Sequence, residues 1–349
     1  MADTVAATKL AFASDYMEGA HPAVLDALVK TNMESVAGYG ADRFCEDARA
    51  KIRAVCACPD AEVHFVGGGT QANQVVIDAL LTPWQGVMAA DTGHVSIHEA
   101  GAIEFTGHKV LSLPSQDGKL AAQTVRDCWN AWHEDANWEH EVEPGAVYIS
   151  QPTEYGTLYS LAELEDLSAV CHEVGVPLYI DGARLAYALA STANDVTLPD
   201  LARLADAFYI GGTKCGALCG EAIVFPKADT CPRFFTRIKQ HGALFAKGRL
   251  LGVQFDALFS DDLYFKLGRT ADKAADRIRT RLREQGYPIY IDSPTNQTFF
   301  VIEDGKMDEL GERVMFNYDH RYDETHTVIR LCTSWATRSE DVDALLELL

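Results

Sequence analysis

No run of apolar residues in this chain is long enough to cross a bilayer, so no membrane-spanning segment is expected. Basic residues are scarce: 30 Lys and Arg stand against 51 Asp and Glu, a formal net charge of −21. A chain this acidic has no general attraction for nucleic acid or for an anionic membrane, and any anion site must be local. Cysteine pairs at zinc spacing are missing too. The chain has nine cysteines, with Cys56 and Cys58 as a C-x-C and Cys215 and Cys219 four apart. No metal site is expected, and free thiols in a reducing cytoplasm are the simplest reading. Met1-Ala-Asp-Thr-Val has no basic stretch followed by an apolar run, so no secretion signal is read there. Repeats and low-complexity tracts are absent. What remains is a globular composition, 349 residues with 48% hydrophobic and 23% charged, with room for two domains or for one large domain and a lobe.

The pattern along the chain alternates. Strands are read at Val63–Val66, Val87–Ala90, Lys109–Leu113, Ala146–Ser150, Pro177–Asp181, just before Lys214, and at Glu221–Phe225. Helical spacing falls between them: from Pro22, over Arg43–Cys56, Gln71–Leu81 and His98–Phe105, from about Ala121, over Leu161–Val174 with Gly175 as C-cap, and after Arg184. Such alternation argues for an α/β domain with a largely parallel sheet. Beyond Phe225 the pattern changes. Helices are read over Cys231–Gln240, Gly242–Phe259, Tyr264–Gln285 and Met307–Val314, with a last one capped by Ser339. Strands there fall at Pro288–Ile291, Gln297–Ile302 and Thr327–Cys332, which makes a smaller α+β lobe.

In open parallel sheets, ligands gather beyond the carboxyl ends of the strands. His94, Glu154, Asp181 and Lys214 all stand at or just after predicted strand ends, so one shared site is expected. Phe208-Tyr-Ile-Gly-Gly-Thr-Lys214 reads as an apolar strand entering a glycine-rich turn that carries one lysine. Partly desolvated, such an amine loses its proton more readily and can form a Schiff base. Gly67-Gly-Gly-Thr70 lies between a strand and a helix, an arrangement that aims backbone N–H groups at an anion. No G-K-[ST] closes it, so it is not a Walker motif. Asp181 ends an apolar strand and needs a partner. That partner is either Arg184, three residues on, or the protonated ring nitrogen of a pyridine cofactor.

Taken together, Gly-Gly-Thr-Gln-Ala-Asn73, His94 with Glu99-Ala-Gly101, Asp181-Gly-Ala-Arg184 and Thr213-Lys214 resemble the low-specificity threonine aldolases. These belong to the β-eliminating lyase group of fold-type-I enzymes that use pyridoxal phosphate (PLP). The resemblance spans about residues 12 to 338. It implies a PLP-dependent transferase-like large domain over 15–250, with a mostly parallel seven-stranded sheet. A smaller α+β C-terminal domain would follow over 251–349, joined by 1–14. It also implies cleavage of the Cα–Cβ bond of β-hydroxy-α-amino acids to glycine and an aldehyde. β-Elimination or other Cα chemistry on the same cofactor is the alternative, and a non-catalytic PLP- or amino-acid-binding protein is the alternative of another class.

Position by position, the resemblance makes Lys214 the cofactor's covalent anchor and Asp181 the partner of its ring nitrogen. Gly68, Gly69 and Thr70 would cradle the phosphate, with Thr213 beside the lysine. His94 would lie on the ring face. Ser14, Arg184 and Arg330 would hold the substrate carboxylate. Arg249 would reach a phosphate, and Tyr39 a substrate, across a subunit boundary in a dimer or tetramer with shared sites. The implied partner is an amino acid, not nucleic acid or membrane. One departure stands out: threonine aldolases of this type commonly carry histidine where this chain has Glu154. A carboxylate there can still accept the β-hydroxyl proton.

Overall fold

The computed structural model describes residues 9–349, so the readings made on Met1 to Val5, and on the first eight residues of the 1–14 segment, lie outside the described residues. The strands, in chain order, are β1 (Leu10–Ala11), β2 (Glu62–Val66), β3 (Gln85–Ala90), β4 (Val110–Leu113), β5 (Glu143–Ser150), β6 (Leu178–Asp181), β7 (Ala207–Gly211), β8 (Glu221–Phe225), β9 (Ile289–Ile291), β10 (Gln297–Glu303), β11 (Val314–Met315), β12 (Asn317–Arg321) and β13 (His326–Cys332).

Seven strands form one sheet in the order β2-β8-β7-β6-β5-β3-β4. The run from β7 through β6, β5 and β3 to β4 is parallel, while β8 lies antiparallel to both β2 and β7. Both faces are covered, which explains why these strands read as nearly continuous apolar runs rather than as alternations. Val147, Ile149, Ile180, Phe208 and Ile210 point into one core. Tyr148, Tyr179, Ala207 and Tyr209 point into the other, against Ala72, Val75 and Val76 of the helix Gly69–Leu80. The expected α/β fold with a mostly parallel seven-stranded sheet is the fold observed.

The C-terminal lobe is built on a four-stranded antiparallel sheet in the order β12-β13-β10-β9. Its core joins Phe12, Ile278, Leu282, Phe300, Ile329 and Leu345, and β1 pairs in parallel with β11 to tie the chain's start to it. The long helix Leu263–Glu284 serves both halves. Tyr264, Leu267 and Ala271 pack in the large-sheet core, and Ala274, Ile278 and Leu282 in that of the lobe.

Some elements differ from expectation. The helix read from Gly242 begins at Arg249, and the one read from Gln71 begins at Gly69. The helix read over His98–Phe105 is two short ones, His94–Ile97 and Ala102–Phe105. Ser339 is the first residue of the last helix, and Arg338 occupies its cap position. The helix Leu198–Leu204 carries a capping box, Thr197 with Asp200, that marks its start. Among the described residues no helix is long and apolar enough to cross a membrane, and no cluster of His, Cys, Asp and Glu could hold a metal ion.

Gly268 lets the long helix approach Leu185–Ala190: a Cβ there would lie 2.1 Å from the Ala186 carbonyl oxygen. Gly268→Ala should therefore lower the unfolding free energy by about 1–3 kcal/mol, read from the urea midpoint. Gly305→Ala, where a Cβ would meet nothing within 4 Å, should hold or slightly raise it. Equal stability of the two variants would contradict this packing.

Candidate active site

The carboxyl ends of β3, β5, β6 and β7 open into a cleft of about 250 Å³. Gly68, Gly69, Thr70, His94, Glu154, Asp181, Arg184, Thr213 and Lys214 line it together. These are sequence-predicted site residues, brought to one place from positions far apart in the chain.

Asp181 ends β6 and is 4% exposed. Its Oδ2 accepts hydrogen bonds from Tyr148 Oη at 2.7 Å and Asn73 Nδ2 at 3.0 Å, and its Oδ1 accepts one from the Ala183 N–H at 2.9 Å. All three donors are neutral. The salt bridge to Arg184 that sequence proximity suggested does not form. Arg184 turns instead to Asp15, donating from Nε at 2.7 Å and from Nη2 at 3.1 Å. Burial works to raise the Asp15 carboxyl, but Arg184 and Lys214 outweigh it and hold the group below the usual range. Asp181 is left as a buried carboxyl group, facing the cleft, with no side-chain cation in hydrogen-bond contact among the described residues.

Lys214 sits on the turn after β7, partly buried. Burial lowers its proton affinity, and Arg184 adds to the effect, while Asp15, Asp181 and Glu221 oppose it. The turn is clamped by Glu221 at the start of β8. Glu221 Oε2 accepts from the Gly212 N–H at 2.9 Å, and Oε1 from Thr213 Oγ1 at 2.7 Å. The Gly220 N–H then donates to Thr213 Oγ1 at 3.0 Å. Burial pushes the Glu221 carboxyl up to about 8. Sequence reasoning did not single out Glu221, and the only available signal was an acidic residue opening an otherwise apolar strand.

Two further carboxyls flank His94. Glu154 Oε1 accepts from the His94 backbone N–H at 2.9 Å and from Ser150 Oγ at 2.7 Å, and burial raises its proton affinity. Glu99 Oε1 lies 2.7 Å from His94 Nδ1. Asn73 and Glu99, quoted above only as parts of motifs, thus belong to the cleft's buried support.

The helix Gly69–Leu80 starts at the cleft with Gly68 as its cap and no side-chain cap bond. Its first-turn N–H groups are open to an anion. A Cβ on Gly69 would press on Tyr209 Oη at 3.0 Å, so a larger residue there would have to displace that hydroxyl. An accessible lysine, an uncompensated carboxylate and an open helix start fit the aldehyde, the ring nitrogen and the phosphate of PLP in turn.

The remaining candidates do not line the cleft. Ser14 precedes Asp15, the partner of Arg184. Arg330 donates from Nη1 to Gln297 Oε1 at 2.9 Å and from Nη2 to the Ala13 carbonyl at 3.2 Å, and its buried Nε has no partner among the described residues. Gln297 Nε2 in turn donates to the Glu154 carbonyl at 3.1 Å. Arg249 binds the carbonyls of Thr31 and Glu34 at the end of the helix Pro22–Thr31. Tyr39 is 45% exposed beside Lys239, away from this cleft.

Fold and site together define an open α/β architecture with a candidate Schiff-base lysine beyond the carboxyl ends of its strands. Residues 11–335 match the family model described as beta-eliminating lyase. The chain is 31% identical over 305 residues to a low-specificity L-threonine aldolase of Pseudomonas aeruginosa, covering 86% of this chain and 87% of that one. It is 24% identical to the corresponding protein of Saccharomyces cerevisiae, over 73% of this chain and 68% of that one. Among solved structures, Leishmania major threonine aldolase superposes with a TM-score of 0.94 at 44% identity, over 97% of this chain and 98% of that one. Thermus thermophilus aspartate aminotransferase shares the fold alone, with a TM-score of 0.71 at 15% identity over 98% of this chain and 91% of that one. This chain belongs to the beta-eliminating lyase family.

The pH dependence of stability tests the Glu221 environment. With its carboxyl at about 8 instead of the ordinary 4.5, the folded protein keeps a proton that the unfolded chain has lost. This contribution is present below pH 4.5 and is lost as pH rises through about 8. Glu221→Gln should therefore make the fall of unfolding free energy between pH 5 and 8 shallower, by up to about 1.4 kcal/mol per pH unit. Identical slopes in urea titrations at several pH values would contradict a proton held there.

Proposed function

We propose that this protein is a PLP-dependent carbon–carbon lyase. It cleaves the Cα–Cβ bond of β-hydroxy-α-amino acids of the threonine and allo-threonine kind, releasing glycine and an aldehyde. The observation that carries this reading is the convergence of Lys214 and the cation-free Asp181 on one cleft, beside the open start of the helix Gly69–Leu80. The family and the threonine aldolases among its similar proteins support the same reaction.

When bound, the cofactor supplies an electron sink for the pair left on Cα. The protein's own groups do the rest. Lys214, its amine made less basic by burial and by Arg184, would hold the cofactor through its aldehyde and would be free to take or give a proton once the substrate amine is bound. Asp181, fixed by Tyr148, Asn73 and the Ala183 N–H, holds a proton on the ring nitrogen. The N–H groups around Gly69 and the Thr70 hydroxyl hold the phosphate. Arg184, which lines the cleft, orients the substrate carboxylate; Arg330 and Ser14 do not line the cleft and would reach the carboxylate only through a shift on substrate binding. His94 or Glu154 accepts the β-hydroxyl proton and so starts bond cleavage.

The same reading makes the protein a cytoplasmic homo-oligomer, a dimer or homotetramer, in which Arg249 and Tyr39 of one chain serve the site of a neighbour. It also divides the chain into a PLP-binding domain over 15–250 and a small domain over 251–349 with 1–14.

Purified protein loaded with PLP and given L-threonine should yield glycine and acetaldehyde in equal amounts; L-allo-threonine, phenylserine and serine extend the test. Lys214→Ala should lose the absorbance of lysine-bound cofactor and at least about a thousandfold of the rate. A 2-oxo acid and ammonia as the products would replace this reading with β-elimination. A bound chromophore with no turnover of any amino acid would replace it with binding alone.

A further inference from the structure

A single buried path connects Asp181 to His94. Asn73 Nδ2 donates to Asp181 Oδ2 at 3.0 Å and to Glu99 Oε1 at 2.7 Å, and that same Glu99 oxygen lies 2.7 Å from His94 Nδ1. Tyr179 Oη donates to Asn73 Oδ1 at 2.9 Å, which fixes the direction of the amide. Glu99's side chain is completely shielded from solvent, and its Oε2 has no partner among the described residues. A carboxylate so placed is costly unless a strong donor or a cation meets it. His94 is the ionisable side chain it meets.

Against a carboxylate, which can only accept, the hydrogen of this contact belongs on His94 Nδ1. In the neutral ring, Nε2 is then the nitrogen with a free lone pair, and His94 lines the cleft. The residue is also pinned at its backbone, where its N–H donates to Glu154 Oε1. That oxygen of Glu154 already accepts from Ser150 Oγ as well. The two carboxyls therefore differ in kind: Glu99 grips the ring of His94, and Glu154 grips its main chain.

We propose that Glu99, supported by Asn73, is a positioning residue for aldol cleavage, holding His94 in the tautomer whose Nε2 takes the β-hydroxyl proton of the substrate. This inference rests on the functional reading above. In the step, the O–H bond breaks and its proton passes to Nε2. The O–H electron pair becomes the second bond of the departing aldehyde's carbonyl. The Cα–Cβ pair stays with the Cα fragment, which leaves as glycine after Cα gains a proton. The imidazolium so formed faces the Glu99 carboxylate, the same logic by which a carboxylate supports histidine in a hydrolase triad.

Glu99→Gln keeps the shape and removes the charge. In the PLP-loaded protein, threonine cleavage should fall about 10- to 100-fold in kcat, with KM changed less than about threefold. Exchange of the glycine α-hydrogen with deuterated solvent needs no β-hydroxyl proton transfer, so cleavage should fall at least ten times more than exchange. Nitrogen-15 histidine NMR of the parent should show His94 with its hydrogen on Nδ1, the resonance being identified by its loss in His94→Asn. Equal falls in cleavage and exchange would reduce Glu99 to a structural residue. An unchanged cleavage rate, or a hydrogen on Nε2 of neutral His94, would overturn the inference. If the parent binds the cofactor but makes neither glycine nor aldehyde, the functional reading falls first and takes this inference with it.

Discussion

A buried carboxylate held without a cation is the constraint on which this site depends. Asp181 receives Tyr148, Asn73 and the Ala183 N–H, all uncharged, while the nearby guanidinium of Arg184 is committed to Asp15. Desolvating a carboxylate costs several kcal/mol unless a positive group meets it. Among the described residues no side-chain cation makes a hydrogen bond to Asp181, and the cleft lies open in front of it. The cleft therefore suits a ligand that brings its own positive charge, as the protonated ring nitrogen of PLP does. The Asp15–Arg184 pair makes this possible by removing the arginine that would otherwise neutralise the site.

The sheet explains how such groups come to meet. Parallel strands end on one side, so residues that leave successive strands converge whatever their separation in sequence. Asp181 leaves β6 and Lys214 follows β7, two neighbouring strands of the order β2-β8-β7-β6-β5-β3-β4. β8 returns antiparallel beside β7, and for that reason its first residue, Glu221, reaches the same end and can clamp the lysine's turn. The helix after β2 begins there too, because β2 and β7 both run antiparallel to β8, and Gly67 and Gly69 let the chain pass close to Phe245 and Tyr209.

Much of this was legible beforehand. Apolar runs marked the strands, and the residues ending them marked the cleft; His94, Glu154, Asp181 and Lys214 share it as expected. Pairings over long sequence distances were not legible. Arg184, three residues on, was one of two partners read for Asp181, but the fold gives it Asp15, 169 positions earlier. Glu221 looked like an ordinary strand residue, because its importance comes only from an antiparallel neighbour. β12, Asn-Tyr-Asp-His-Arg, has no apolar alternation, since it is an edge strand whose side chains are largely open to solvent. Arg249 bore a basic residue's usual ambiguity, and within one chain it closes the end of the helix Pro22–Thr31.

The most direct measurement is a crystal structure of the protein with PLP. The account predicts a covalent bond from Lys214 Nζ to the cofactor's aldehyde carbon, an Asp181 oxygen within hydrogen-bond distance of the ring nitrogen, and the phosphate against Gly68, Gly69 and Thr70. A cofactor bound in this cleft with Lys214 unattached, or with Asp181 out of reach of the ring nitrogen, would contradict it.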